Sequence, residues 1–369
     1  MRALAITDWN LEDCAAREIN GLIKTQTTAK ETMVLFDAKP EELAKVAYHS
    51  QTIYRLMAML DSFSFGEKED PLKKLKKSVE SSGLAEWFEK KTTFCVRSLM
   101  AETKEMEKNM LEPKMGEFVL NKIKKEKNFT PAVSLEKPNV LILIYFYKNS
   151  CYWGIDLAGD LSHRDYKIFT NRHSLKGPLA ASLLHLAGYT GKEKLLLPFV
   201  KDGTLAVEAG YCSGKISLQR TAEFSFLKLK PFRKIDWKRF FLKEEKKRDY
   251  KIKNIFASDS FSPNAKAAEK NISIAKLSIK VSRLGIEQTD VLFKKGEIDC
   301  GVCYLASLEE NQAKELLYQI FYVLKKGGIF VLMTGEKFKL SENKELKLKE
   351  KRETKRGENK YQIFILQRR

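Results

Sequence analysis

Four apolar runs of strand length in the second half of the chain, "KLLLPF" (194–199), "NIFASD" (254–259), "IDCGVCYL" (298–305) and "GIFVLMT" (328–334), constrain the fold more than any other feature. They alternate with stretches carrying helix-start signals near Thr204, Pro263 and Glu309. A short, continuously apolar strand needs cover on both of its faces. The alternation therefore predicts a doubly wound, mostly parallel sheet with helices on each side and a ligand crevice at the C-terminal ends of the strands.

The first half has a different, α+β rhythm. "RALAIT" (2–7) and "TMVLF" (32–36) read as strands, with a helix over 10–23 between them that takes Asn10 as its N-cap. Pro40 opens a second helix, "PEELAKVAYH". From about residue 66 a Lys-rich helix, "PLKKLKKSVESSG", precedes a strand over 92–100. In "MGEFVLNKIKKEKN", Phe118, Val119, Leu120 and Ile123 form a candidate apolar stripe beside Lys122, Lys124 and Lys125, and "NVLILIYFY" (139–147) reads as a buried strand. Residues 161–190 read as an ordered connector and a helix; no low-complexity linker separates the halves.

Charge indicates the class of partner. Lys and Arg number 67 against 48 Asp and Glu, a net charge of +19. Thermophile-style surface charging enriches both signs together, whereas this excess is one-sided and suits a polyanion such as RNA. The opening residues place Asp8, Glu12 and Asp13 where a signal peptide needs an apolar run, and no apolar stretch has membrane-spanning length. The expectation is a soluble, cytoplasmic protein. Of the 6 cysteines only Cys300 and Cys303 form a C-x-x-C, inside an apolar strand pattern and without a second pair, so no metal ligand is assigned. No serine sits in a G-x-S-x-G elbow, and no G-x-G-x-x-G follows the first strand of the second half. His163, beside Arg164 in the connector, is read as RNA-facing rather than catalytic.

Five blocks in order, "GIDLAGDLSHRDY", "SLKGPLAASLLHLAGY", "LPFVKDGTLAVEA", "ASDSFSPNAKAAEKN" and "VLKKGGIFVLMT", resemble the RNA guanosine-N2 methyltransferases that join a THUMP RNA-binding domain to an S-adenosylmethionine-type Rossmann domain. "NLEDCAAREI" and "VSLEKPNVLILIYF" resemble that family's N-terminal and THUMP regions. The resemblance implies an N-terminal ferredoxin-like domain (1–65), a THUMP domain (66–160), the connector and first helix (161–190) and a Rossmann-like methyltransferase domain (191–369).

It also implies where the chemistry lies. The family's donor loop reads like D-P-x-C-G-S-G-T; here Leu197 stands for the acid, Lys201 for a glycine and Asp202 for the serine, while Pro198, Gly203, Thr204 and Glu208 remain. Gly203, Asp259 and Asp290 are the candidate cofactor contacts, the two acids reading equally as a helix cap or a loop carboxylate. The family's N-P-P-Y acceptor aligns with Tyr304, Leu305, Ala306 and Ser307, and no Pro-Pro dipeptide exists in the chain. Tyr304 is therefore read as a structural strand-end aromatic, and no catalytic residue is assigned. Arg97, Lys122, Lys124 and Lys125 are the candidate RNA contacts, the lysines reading equally as a solvated helix face. Trp237, Phe240, Phe241 and Tyr250, interleaved with cations in 234–253, suit either base stacking or the buried face of an amphipathic helix. The resemblance implies a tRNA-binding protein with a degenerate methyl-transfer site and weak or absent S-adenosylmethionine binding; the alternative is an active, divergent methyltransferase. No feature indicates a protein partner.

Overall fold

The structure, a computed structural model, describes residues 1–101, 108–171, 173–218, 224–306, 310–340, 344–357 and 359–369. Two sheets organise them. The first contains β1 (Arg2–Ile6), β2 (Thr27–Lys30), β3 (Met33–Asp37), β4 (Arg55–Ser64), β5 (Thr93–Ala101), β6 (Ala132–Val133), β7 (Val140–Tyr147) and β8 (Ser150–Asp156) in the order β2-β3-β1-β4-β8-β7-β5-β6. Antiparallel pairing of β4 with β8, from Met57 opposite Asp156 to Ser64 opposite Ser150, makes residues 1–65 and 66–160 share this sheet.

Helices α1 (Glu12–Ile23), α2 (Pro40–His49), α3 (Pro71–Ser81) and α4 (Lys108–Lys127) contribute to the core of this sheet. Ile19, Leu43, Val79, Val119 and Ile123 are fully buried there with Trp153 and Ile155. The α1 start departs from expectation: Asn10 has a φ of 64° and is not the N-cap. Its amide donates to Glu353 O (2.9 Å) instead, and Glu12 Oε1 accepts from the backbone of both Asn10 and Thr32.

The second sheet contains β9 (Leu195–Pro198), β10 (Ile255–Ser258), β11 (Val281–Ser282), β12 (Ile298–Leu305), β13 (Leu324–Gly335), β14 (Leu346–Arg356) and β15 (Asn359–Arg368) in the order β11-β10-β9-β12-β13-β15-β14. Its first five strands in that order are parallel, and β15 runs antiparallel between β13 and β14. The helices of this half are α5 (Gly177–Leu186), α6 (Thr204–Gly214), α7 (Trp237–Glu245), α8 (Ser262–Ile274), α9 (Thr289–Leu292) and α10 (Glu310–Val323). Chain order reverses between β9 and β12, the switch point where doubly wound sheets open a crevice. Ser307 and Glu309 lie outside the described residues.

The halves are tied together by chain that crosses back. Phe224, Phe226, Phe232 and Phe240, although they follow α6 in sequence, belong to the core of the first sheet. Trp237 and Phe241 pack against it, Trp237 lying 5.0 Å from Phe226 and Phe241 5.4 Å from Tyr48. Trp237, Phe240 and Phe241 are thus the inward face of the amphipathic helix α7 and are not free to stack on bases; Tyr250 remains 37% exposed.

Candidate functional site

The crevice is built on the turn after β9. Phe199, Lys201 and Gly203 all have left-handed φ values, of 53°, 54° and 80°. At Gly203 a side chain is barred twice, because a Cβ there would sit 2.9 Å from Ala268 Cα of α8. Lys201 adopts the left-handed conformation that a glycine would take without strain, so the path of the turn is kept while a long cation is mounted on it.

That cation is turned inward. Lys201 Nζ lies 4.7 Å from the centroid of the Tyr304 ring at the end of β12, and burial lowers its pKa. Tyr304 is 6% exposed, its other close aromatic neighbour is Tyr361 at 6.1 Å, and burial followed by Tyr361 pushes its hydroxyl up to about 12. With a lysine over the ring and a tyrosine at its edge, the aromatic is a packed strand end. The cavity bounded by His173, Leu175, Phe199, Lys201, Thr204 and Tyr304 is about 10 Å³. That is about one water, whereas ligand pockets measure roughly 300–1,000 Å³.

The acids around this turn are engaged locally. Asp259, 4% exposed at the end of β10, accepts from the backbone N–H of Lys201 (3.0 Å) and Phe261 (3.0 Å) and from Asn264 Nδ2 (3.2 Å). It ties the β9 turn to the start of α8. Asp202 Oδ1 accepts from the Thr204 backbone and hydroxyl, and the Lys167 ammonium stands 3.7 Å from its other oxygen. Leu197 is fully buried in the sheet. Asp290 sits in α9, its backbone N–H bonded to Gln319, and lines neither this cavity nor the next. The structure thus brings Gly203 and Asp259 together and leaves Asp290 apart. A larger cavity, of about 460 Å³, lies between β10 and α9 and is bounded by Leu196, Phe256, Ser258, Ser282, Thr289 and Phe293.

Behind the crevice is a buried polar hub that sequence reasoning missed. Glu208 of α6 is fully buried; its Oε1 accepts from Arg164 Nε (2.6 Å) and Tyr166 Oη (2.7 Å), and its Oε2 from Gln51 Nε2 (2.9 Å) and Arg164 Nη2 (3.4 Å). Arg164 also donates to the carbonyls of Leu161 and Gln51. Gly177 makes room for it, since a Cβ there would be 2.3 Å from Arg164 Nε. Burial opposes the charge of Arg164, yet the Glu208 carboxylate holds its pKa above the usual value. Arg164 is therefore a structural cation and not an RNA contact; His163 beside it is exposed and pairs with Asp165 at 3.1 Å. The available signal was the lone carboxylate in "TLAVEAGY", which a buried helix tolerates only opposite a cation.

The basic candidates divide in the same way. Lys122 is 5% exposed, and its ammonium donates to Glu80 O (2.8 Å) and Glu126 Oε1 (2.7 Å), so it is not an RNA contact. Its position three residues after Val119 puts it at the edge of the buried stripe. Lys124 and Lys125 are exposed. Arg97 is about half exposed, donating to Leu135 O at 3.1 Å and lying 3.7 Å from Glu112. Cys300 and Cys303 are buried in β12, and burial, followed by the nearby acids Glu193 and Asp299, pushes the Cys300 thiol up to about 12.

Fold and crevice together define a two-part protein, an N-terminal α/β sheet unit joined through a buried ionic hub to a doubly wound domain of methyltransferase type. Residues 70–156 match the THUMP domain and residues 164–363, more than half of the chain, match the RMKL-like methyltransferase domain; the chain belongs to this family. It is 26% identical over 252 residues to a tRNA (guanine(6)-N2)-methyltransferase of Methanocaldococcus jannaschii, covering 65% of this chain and 64% of that one. It is 32% identical over 189 residues to a Ribosomal RNA large subunit methyltransferase K/L of Magnetococcus marinus, covering 48% of this chain and 26% of that one. The chain thus spans less than two thirds of the length of either relative. Among solved structures, a "possible methylase from Clostridium difficile 630" superposes with a TM-score of 0.80 at 18% identity, over 100% of this chain and 98% of that one, which establishes the shared fold.

Proposed function

We propose that this protein is a tRNA-binding member of the family whose methyl-donor site is degenerate. The observation that carries the reading is the closed turn after β9: a cavity of about 10 Å³, capped by the packing of Lys201 on Tyr304. S-adenosylmethionine does not fit the residues present there. Leu197 has no side-chain oxygen to offer, and Asp259 spends three of its about four acceptor sites on its own surroundings. The acceptor side agrees with the donor side, because Leu305 and Ala306 supply no side-chain oxygen for a target amine and the Tyr304 ring is packed between Lys201 and Tyr361. Recognition falls to the N-terminal sheet unit and its basic surface, with Lys124 and Lys125 of α4 as phosphate contacts through their exposed ammonium groups.

The test has two arms. Calorimetric titration with S-adenosylmethionine, alone and with tRNA, should give no binding heat, and radiolabelled methyl transfer to unmodified tRNA should be absent. tRNA itself should bind, with an affinity falling by about 0.7 to 0.9 log units per log unit of salt for each phosphate contacted. Tight cofactor binding with robust guanosine methylation would replace this reading with an active, divergent methyltransferase. What favours that second reading is the retained left-handed turn at Gly203 and the 460 Å³ cavity reaching Ser258 and Ser282 beside Asp259.

A further inference from the structure

The second sheet ends at one edge in the antiparallel pair β15–β14. The connection from β13 to β14, residues 336–345, carries no helix among its described residues, although it returns from one end of the sheet to the other. Beneath it, the β14–β15 face forms a groove of about 1040 Å³. Leu346, Phe364 and Leu366 make its floor, Leu348 is 44% exposed, and Phe338 and Leu340 are half-buried at its wall.

The rim is cationic. Lys337, Lys339, Lys344, Lys347 and Lys351 are all exposed around this floor, and the carboxylate among the lining residues, Glu336, already faces Lys360 at 3.6 Å. A β-bulge between Leu348 and Glu350 shifts the register, so Lys351 stands opposite Phe364 on the face that carries Leu348 opposite Leu366. Without the bulge, strict alternation would send Lys351 to the other face. The Lys351 ammonium lies 5.6 Å from the Phe364 ring centroid.

We propose that this groove docks an acidic amphipathic helix of a protein partner, which takes the place of a covering helix that the described residues of the β13–β14 connection do not supply. The apolar floor calls for a stripe of aliphatic side chains and the lysine rim for carboxylates on both sides of that stripe. A helix about 10 Å across fills 1040 Å³ with roughly nine residues, between two and three turns. A nucleic-acid strand matches the rim but presents nothing to the leucines. A second copy of this chain is disfavoured, because its net charge of +19 opposes the lysines.

The test uses the full-length protein and three fluorescein-labelled probes: a stapled 12-residue helix with Leu at i, i+3, i+4 and i+7 and Glu elsewhere, the same helix with Lys for every Glu, and a 12-nucleotide single-stranded RNA. Fluorescence anisotropy should show saturable binding of the acidic helix, none of the basic helix, and no displacement of the acidic helix by the RNA. Leu348→Asp and the pair Lys347→Glu, Lys351→Glu should each weaken binding at least tenfold, with near-ultraviolet circular dichroism reporting an unchanged fold. Lys124→Glu, far along the chain on α4, should leave binding unchanged. No binding of the acidic helix, equal binding by the Leu348→Asp and lysine variants, or competition by the RNA would overturn the proposal. None of these readouts depends on methyl transfer or on tRNA binding.

Discussion

Replacing Glu208 with alanine tests the claim that a buried ion pair holds the two halves together. Both side chains of the pair are essentially inaccessible, at 1% for Arg164 and 0% for Glu208. The substitution removes the acceptor for Arg164, Tyr166 and Gln51 at once and leaves a guanidinium with three carbonyl partners, Leu161, His163 and Gln51, and no counter-charge. Breaking a buried pair from one side costs about 3–5 kcal/mol, a large share of the ~5–15 kcal/mol that holds a typical domain. With a urea dependence of about 2–3 kcal/mol per molar, the midpoint should fall by roughly 1 to 2.5 M. Of the 4 tryptophans, Trp87, Trp153 and Trp237 belong to or pack against the first core, while Trp9 lies under Lys355 of β14, so in a Trp9→Phe background fluorescence follows the N-terminal unit while far-ultraviolet circular dichroism follows the whole chain. In Glu208→Ala the circular-dichroism transition should move below the fluorescence transition. The double replacement Arg164→Met with Glu208→Leu, which removes both charges, should recover stability to within about 1 kcal/mol of wild type. A midpoint shift below about 0.3 M in the single variant, or a double variant no better than the single, would refute the reasoning.

Three further outcomes follow from the same geometry. At position 201 the left-handed backbone reverses the ordinary order of residues: Lys201→Gly should melt higher than Lys201→Ala, by about 1 kcal/mol, as read from paired thermal denaturation curves. Lys122→Ala should lower stability by about 1–3 kcal/mol, through the Glu80 carbonyl and Glu126 left without their donor, and leave tRNA affinity unchanged; Lys124→Ala with Lys125→Ala should do the opposite in a filter-binding and denaturation series. Burial raises the thiol pKa of Cys14, Cys212 and Cys300 to about 12, so at pH 8 only about one in 10⁴ of each is thiolate. Disulfide-exchange reagents should therefore label these three slowly in the folded protein and rapidly in urea, and fast native labelling would contradict the burial.

Much of this was already fixed by the order of residues. The apolar runs that became β9, β10, β12 and β13 were legible because a strand covered on both faces must be apolar along its whole length. The turn at Gly203 was legible too, since few residues other than glycine accept its left-handed backbone. The hairpin β14–β15 was not: "LKLKEKRETKR" is polar on both faces for most of its length, and its bulge breaks the alternation that identifies a strand. Tertiary structure alone decided which of two look-alike charges did what. Lys122 and Lys124 differ by half a turn on one helix, and only the position of Glu80 and Glu126 makes the first a buried anchor and leaves the second in water. Arg164, next to the exposed His163, is turned inward by Glu208, a residue 44 positions away. Local sequence sets backbone preference and the apolar pattern, which act over a few residues. The fate of a charge depends on the desolvation and counter-charge that distant segments bring to it, and those exist only once the chain has folded.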